Sequence, residues 1–227
     1  MRRAAAAIGA VAIAATLAAG CGSSGSSAEK DEATTTTTEA PSTTTTKAYA
    51  GPTEAELDAM LLTAADMGPD WTLEPSTGSD DDSSSDCLSQ LKTKGIISDP
   101  RVDARFDYGN GAAYAFEGLT WAGDDPDATF DAAVEHIDSC TDVNLGSSDE
   151  PATLTPYTLP TMGDQSAAWN ITFTANGTTV VADLVVATQG DIFVMALDGL
   201  AAGAVPEDGT TQFVQGAVAK VAKVQAG

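Results

Sequence analysis

Residues 167–197 leave the chain few ways to fold. Ala167, Trp169, Ile171, Phe173 and Ala175 alternate with polar partners, the period of a strand with one buried face. Asn176-Gly177 follows, the strongest short hairpin signal. A second strand runs over 180–187, Gln189-Gly190-Asp191 turns the chain again, and 192–197 completes an antiparallel meander. The last two strands are different in kind from the first. Val180, Val181, Leu184, Val185 and Val186 are apolar on both faces, and so are Ile192, Phe193, Val194, Met195, Ala196 and Leu197. Strands of that kind lie in the middle of a sheet and are covered on both sides.

The other elements arrange themselves around this meander. Thr53 and Glu56 form a capping box. Leu57, Met60, Leu61 and Ala64 then mark one face of a helix that Gly68-Pro69 stops. Trp71 begins an extended piece. Residues 78–86 are acidic and Ser-rich, but lack the alternating Asp spacing, the glycine and the closing Glu of a calcium loop. They read as a solvated loop before a helix carrying Cys87, Leu88 and Leu91. Val102, Ala104, Phe106 and Tyr108 alternate with charged residues, Asn110-Gly111 signals a hairpin, and 112–121 returns as its partner. Asp125-Pro126 starts a helix whose buried stripe is Phe130, Ala133, Val134 and Ile137. The Pro- and Thr-rich 150–160 reads as irregular. A final helix from about Thr211 turns Phe213, Ala217, Val218, Val221 and Val224 inward.

Strands joined by tight turns make a mainly antiparallel sheet. The expected fold is α+β: five to six strands packed with three to four helices in a two-layer sandwich. Two doubly apolar strands then leave a second face to account for. Either loops and tryptophans complete a core there, or the face is an apolar groove for a ligand or partner. Trp121, Phe193 and Met195 are the candidates for the wall of such a groove.

The N-terminus fixes the location. Arg2 and Arg3 precede an apolar run over 4–19, shorter than the roughly 20 residues a spanning helix needs. It ends in Leu17-Ala18-Ala19-Gly20-Cys21. This reads as a lipoprotein signal peptide over 1–20, with Cys21 the lipidated residue; the alternative is an ordinary secretory peptide with an incidental cysteine. Residues 21–52 are Ser- and Thr-rich and too polar to be buried, which makes them a tether to a single domain over 53–227. The expected location is the cell membrane, lipid-anchored and facing the extracytoplasmic side.

Cys21 leaves Cys87 and Cys140 as an even pair outside the cytoplasm. They read as a disulfide, with two free thiols the alternative. The formal charge is −23, and becomes about −25 once Arg2 and Arg3 leave with the signal peptide. So acidic a chain repels nucleic acid, and its membrane contact comes from the lipid. No Gly-x-Ser-x-Gly elbow, His-Glu-x-x-His or phosphate loop occurs, and no cofactor or metal is expected. The only histidine, His136, sits beside the apolar stripe of its helix and reads as a solvated flank residue. Carboxylates are too abundant for any pair to point to a glycosidase. The chain therefore reads as a non-enzyme that binds a small apolar ligand or, alternatively, another envelope protein.

Three stretches carry a family resemblance. They are Leu61-Leu62-Thr63-Ala64-Ala65-Asp66-Met67-Gly68-Pro69-Asp70-Trp71, the strand-hairpin-helix unit ending at Cys140, and Met162-Gly163-Asp164-Gln165-Ser166 with the later Gln189-Gly190-Asp191 turn. Together they resemble actinobacterial cell-envelope lipoproteins similar to the extracellular sensor domain of PknH-type serine/threonine kinases. The resemblance spans roughly 54–225. It implies an antiparallel sheet with helices, a ligand-binding cleft and no catalytic activity. The kinase sensor domains carry two disulfides; here the resemblance leaves only Cys87 and Cys140 to form one.

Overall fold

The computed structural model describes residues 51–74, 87–109, 111–141, 143, 152–175, 178–200 and 208–227. The signal peptide, Cys21, most of the tether, the acidic 78–86 loop, Asn110 and the Asn176-Gly177 turn lie outside the described residues. No described helix is long and apolar enough to cross a membrane.

The meander forms as its periodicity requires. Strand β5 (Gln165–Ala175) pairs with β6 (Thr178–Gln189), and β6 with β7 (Ile192–Leu200), all antiparallel. The first hairpin supplies β2 (Arg101–Tyr108) and β3 (Ala113–Trp121), and β3 joins the meander by pairing with β7. Two edge strands complete the sheet: β1 (Trp71–Glu74) beside β2, and β4 (Thr153–Tyr157) beside β5. The sheet order is β1-β2-β3-β7-β6-β5-β4. The two doubly apolar strands, β6 and β7, are indeed central.

Among the described residues there are seven strands, where the sequence suggested five to six. The undercount came from the edges. Thr153–Tyr157 is a strand, not an irregular segment. Pro156 obscured it, yet proline is tolerated on an edge strand whose amide side faces away from the ladder. Trp71–Glu74 is short, and alternation cannot show in four residues.

Helices cover both faces of the sheet, so the fold is three-layered rather than a two-layer sandwich. On one face α1 (Glu54–Met60), α2 (Ala64–Met67) and α5 (Gly209–Gln225) pack over Phe106, Leu119, Val185 and Val194. On the other, α3 (Gln90–Thr93) and α4 (Pro126–Asp138) cover Trp169, Ile171, Leu184 and Phe193. Each fully buried side chain of this size contributes about 1.5–3 kcal/mol. The question of the second face is thereby resolved by α4, whose stripe Phe130, Ala133 and Ile137 is buried as its spacing indicates.

The first helix departs from its expected course. The pattern over 54–64 predicts one helix, but α1 ends at Met60 and α2 begins at Ala64. Thr63 and Asp66 form a second capping box: Asp66 Oδ2 accepts from the Thr63 amide at 2.8 Å and its hydroxyl at 2.6 Å. Similarly, the helix expected to carry Cys87 is only the single turn of α3, with Cys87 in the turn before it.

Two stretches noted in the sequence meet at one end of the sheet. Asp164 Oδ2 accepts the Gly190 amide at 2.7 Å, and the Asp164 amide donates to Thr188 O at 2.8 Å. Gly163 has φ +70, and a Cβ there would run into the Thr188 carbonyl. A glycine is the residue that permits this approach.

Candidate functional site

On the α4 face, Cys87 and Cys140 are joined in a disulfide, with Cα atoms 5.7 Å apart. His136 lies against it and is buried, which corrects its reading as a solvated flank residue. Its ring nitrogens have defined roles. A carbonyl only accepts, so Nε2 carries the proton and donates to Cys87 O at 2.8 Å. An ammonium only donates, so Nδ1 accepts from Lys94 Nζ at 3.1 Å. The stripe criterion failed here because a ring on the helix flank can be covered by a neighbouring loop. The ligand atoms of Cys87, His136 and Cys140 lie within 4.8 Å of one another. With the sulfurs bonded to each other, they offer no thiolate to a metal.

Phe193 is buried in the core beneath α4, and Met195 is partly buried against it. Trp121, half-buried at the end of β3, pairs across the ladder with Ile192. Phe193 and Met195 share the α4 face of β7, whereas Trp121, opposite Ile192, stands on the other face, so the three do not form one wall, and none of them lines the cleft described next.

That cleft, of about 380 Å³, lies on the opposite face between α2 and α5. Its walls include Met67, Trp71, Tyr108 and Phe213. Trp71 and Tyr108 pair directly across the β1–β2 ladder, with ring centroids 5.1 Å apart and planes tilted by 55°. Small residues, Gly209 and Gly216, keep the α5 side open. Three carboxylates face it: Asp66, Asp70 and Asp198.

Strand pairing explains how a carboxylate comes to sit there. Ala115, Asp198, Asp183 and Asn170 are directly opposed in turn across β3, β7, β6 and β5. They form one row on the α5 face. Glu117 stands two residues along β3 from Ala115, on the same face. This interior row is polar in an otherwise apolar layer.

Donors are unevenly shared along the row. Asp183 receives Asn170 Nδ2 at 3.1 Å and Thr210 Oγ at 2.9 Å, with the Tyr157 hydroxyl close enough to feel its charge. Among the described residues, Asp198 receives only Thr210 Oγ, at 3.1 Å. Thr210 has one hydroxyl proton for both carboxylates. Asp198 is 4 % exposed, and its Oδ1 has no partner among the described residues. Burial pushes its carboxyl up to about 6, opposed by the Thr210 hydroxyl and reinforced by the charge of Asp183. Burial likewise raises the Tyr157 hydroxyl, helped by the neighbouring Asp183.

Glu117 is fully buried beneath the break between α1 and α2. Its Oε2 accepts the Leu62 amide at 2.8 Å, a donor that the break leaves free, while Oε1 is unpartnered among the described residues. Burial pushes this carboxyl up to about 7, against the lowering effects of the Leu62 amide and Lys220. Asp66 is the opposite case. Lys220 Nζ at 2.7 Å and the Thr63 donors hold its carboxyl far below the usual range.

Sequence inspection does not find these acids. Glu117 and Asp198 sit in strands among many other carboxylates, and their burial depends on which face the register turns inward. The one available signal is at Glu117, which shares its side of β3 with Ala113, Ala115 and Leu119, where an acid is out of place; β7 is apolar on both faces and gives no such signal for Asp198.

No family model and no curated protein matches the chain. Among solved structures, the fold is similar to the extracellular domain of PknH from Mycobacterium tuberculosis, with a TM-score of 0.54 and 12% identity over 76% of this chain and 97% of that one. A second match, CalU16 from Micromonospora echinospora, has 12% identity over 55% of this chain and 97% of that one. Its TM-score of 0.26 is too low for a shared fold. The likeness to the PknH domain extends the family resemblance to the level of fold: an α+β, sensor-domain-like architecture.

Proposed function

We propose that this chain is a lipid-anchored lipoprotein of the cell envelope whose folded domain binds a small ligand without transforming it. The observation that carries the binding reading is Asp198. A buried carboxylate with an oxygen that no described residue partners, lining a cleft walled by aromatic rings, is arranged for a partner from outside those residues. Binding fits better than catalysis because Glu117, the other acid with a raised pKa, does not line the cleft. Asp66, which does line it, is held by Lys220 and the Thr63 donors and is not free to take a proton, so Asp198 has no base beside it to complete a general acid and base pair. The sensor-like fold agrees with this reading. The anchor rests on the Cys21 motif and the polar tether that follows it.

Native mass spectrometry of the protein released gently from envelopes tests the binding reading. A bound small molecule, lost under denaturing conditions, is the expected result. A consistently empty protein that instead captures one envelope protein supports an interaction module. For the anchor, Cys21→Ala should move the protein out of the membrane fraction; continued partitioning with membranes contradicts lipidation.

A further inference from the structure

We infer that the cleft between α2 and α5 takes a protonated organic amine with an apolar or aromatic body, its ammonium group drawn to the Asp198 carboxylate in the cleft wall. This rests on the binding reading above and adds the chemical class of the ligand.

Four observations converge on that class. First, the unpartnered atom is a carboxylate oxygen, so the missing partner is a hydrogen-bond donor, and a charged donor satisfies it best. Second, Trp71, Tyr108 and Phe213 present aromatic surface to the same space, which attracts organic cations through the ring quadrupole. Third, Asp70 adds negative charge at the cleft beyond the Lys220-paired Asp66, on a chain of formal charge −23. That field draws cations in and turns anions away. Fourth, the volume of about 380 Å³ suits a small molecule.

Other classes fit less well. A hard divalent cation needs six or more oxygen ligands for calcium, or a near-octahedral set for magnesium. Here Asp66 is committed to Lys220 and Thr63, and Asp198 shares its other oxygen's donor with Asp183. A neutral apolar ligand would bury Asp198 further and leave its oxygen unpaired, an arrangement that weakens binding. An anion would meet three carboxylates.

Isothermal titration of the purified full chain with three isosteric probes tests this: phenethylamine, 2-phenylethanol and phenylacetate at neutral pH. Amide shifts at Gly209 and Gly216 locate the binding. The amine should bind about tenfold or more tightly than the alcohol, and the acid weakest of all. Asp198→Asn, checked by its amide spectrum for an intact fold, should remove that preference. Equal binding of amine and alcohol in the wild type overturns the inference but leaves a ligand-binding cleft. Calcium chloride moving the same resonances while the amine is inert also overturns it, in favour of a metal. If none of the probes and no calcium shifts Gly209 or Gly216, the binding reading itself fails.

Discussion

The two faces of the sheet are built from the same strands but to opposite standards. Beneath α4, large apolar side chains pack with a disulfide and a histidine whose two ring nitrogens are both engaged. Trp169 Nε1 donates to Asp138 Oδ1 at 2.8 Å. Among the described residues, the unpartnered buried atoms there are a neutral Thr188 hydroxyl and an oxygen of Asp103, which lies 3.8 Å from Arg105 Nε. Beneath α1, α2 and α5, the apolar layer is interrupted by two buried acids, each with an oxygen left over and each with a raised pKa. A stable domain does not need the second arrangement, since burying an unpaired carboxylate opposes folding. Both faces bury apolar side chains that hold the fold together, and the α5 face carries in addition chemistry that fold stability alone would not select.

Removing the bridge is the largest available perturbation. Cys87→Ala with Cys140→Ala should lower stability by about 4 kcal/mol in the chain-entropy model, given the sequence separation of 53. Urea unfolding measures it. The comparison sharpens if the folded double variant keeps the amide pattern of the cleft, because the bridge lies on the other side of the sheet.

Glu117 offers a test of intermediate size. Burial raises its carboxyl in the folded state to about 7, from an ordinary value of 4.5. The protein is therefore most stable with Glu117 protonated, and loses stability as pH rises from 4.5 through 7. The groups acting on it are the Leu62 amide, Lys220 from α5 and Asp66 from α2. Glu117→Gln should flatten this part of the pH profile, gaining on the order of 2 kcal/mol over wild type between pH 4.5 and 8. A wild-type and variant difference that does not change with pH would place Glu117 in contact with water, contrary to its burial.

The smallest effect belongs to the ion pair at the cleft's edge. Lys220 and Asp66 are both partly exposed, so Lys220→Met should cost no more than about 1 kcal/mol. It should also raise the Glu117 pKa, because Lys220 is one of the groups holding it down.

How much of this was legible beforehand follows from what periodicity can carry. The meander, the central place of β6 and β7 and the α4 stripe could be read from residue spacing, and the Cys87–Cys140 pairing from the cysteine count. Edge strands could not: β1 has four residues, and Pro156 made β4 look like a loop. The break at Leu61–Thr63 escaped notice because the apolar spacing continues through it, and the deciding contact, Leu62 to Glu117, spans 55 residues. The site was less legible still. Trp121, Phe193 and Met195 were chosen for apolar character, whereas the cleft is defined by an acid. Asp198 becomes unusual only when the β3–β7–β6 register sets it beside Asp183 under a single threonine hydroxyl.

The central claim is that Asp198 is kept for a partner outside the chain and not for the fold. The urea midpoint of Asp198→Asn at pH 7.5 measures this directly. Asparagine keeps an acceptor for Thr210 and removes the buried charge. The account predicts a variant as stable as the wild type, or more stable. A loss of more than about 1 kcal/mol would make Asp198 a structural residue and contradict it.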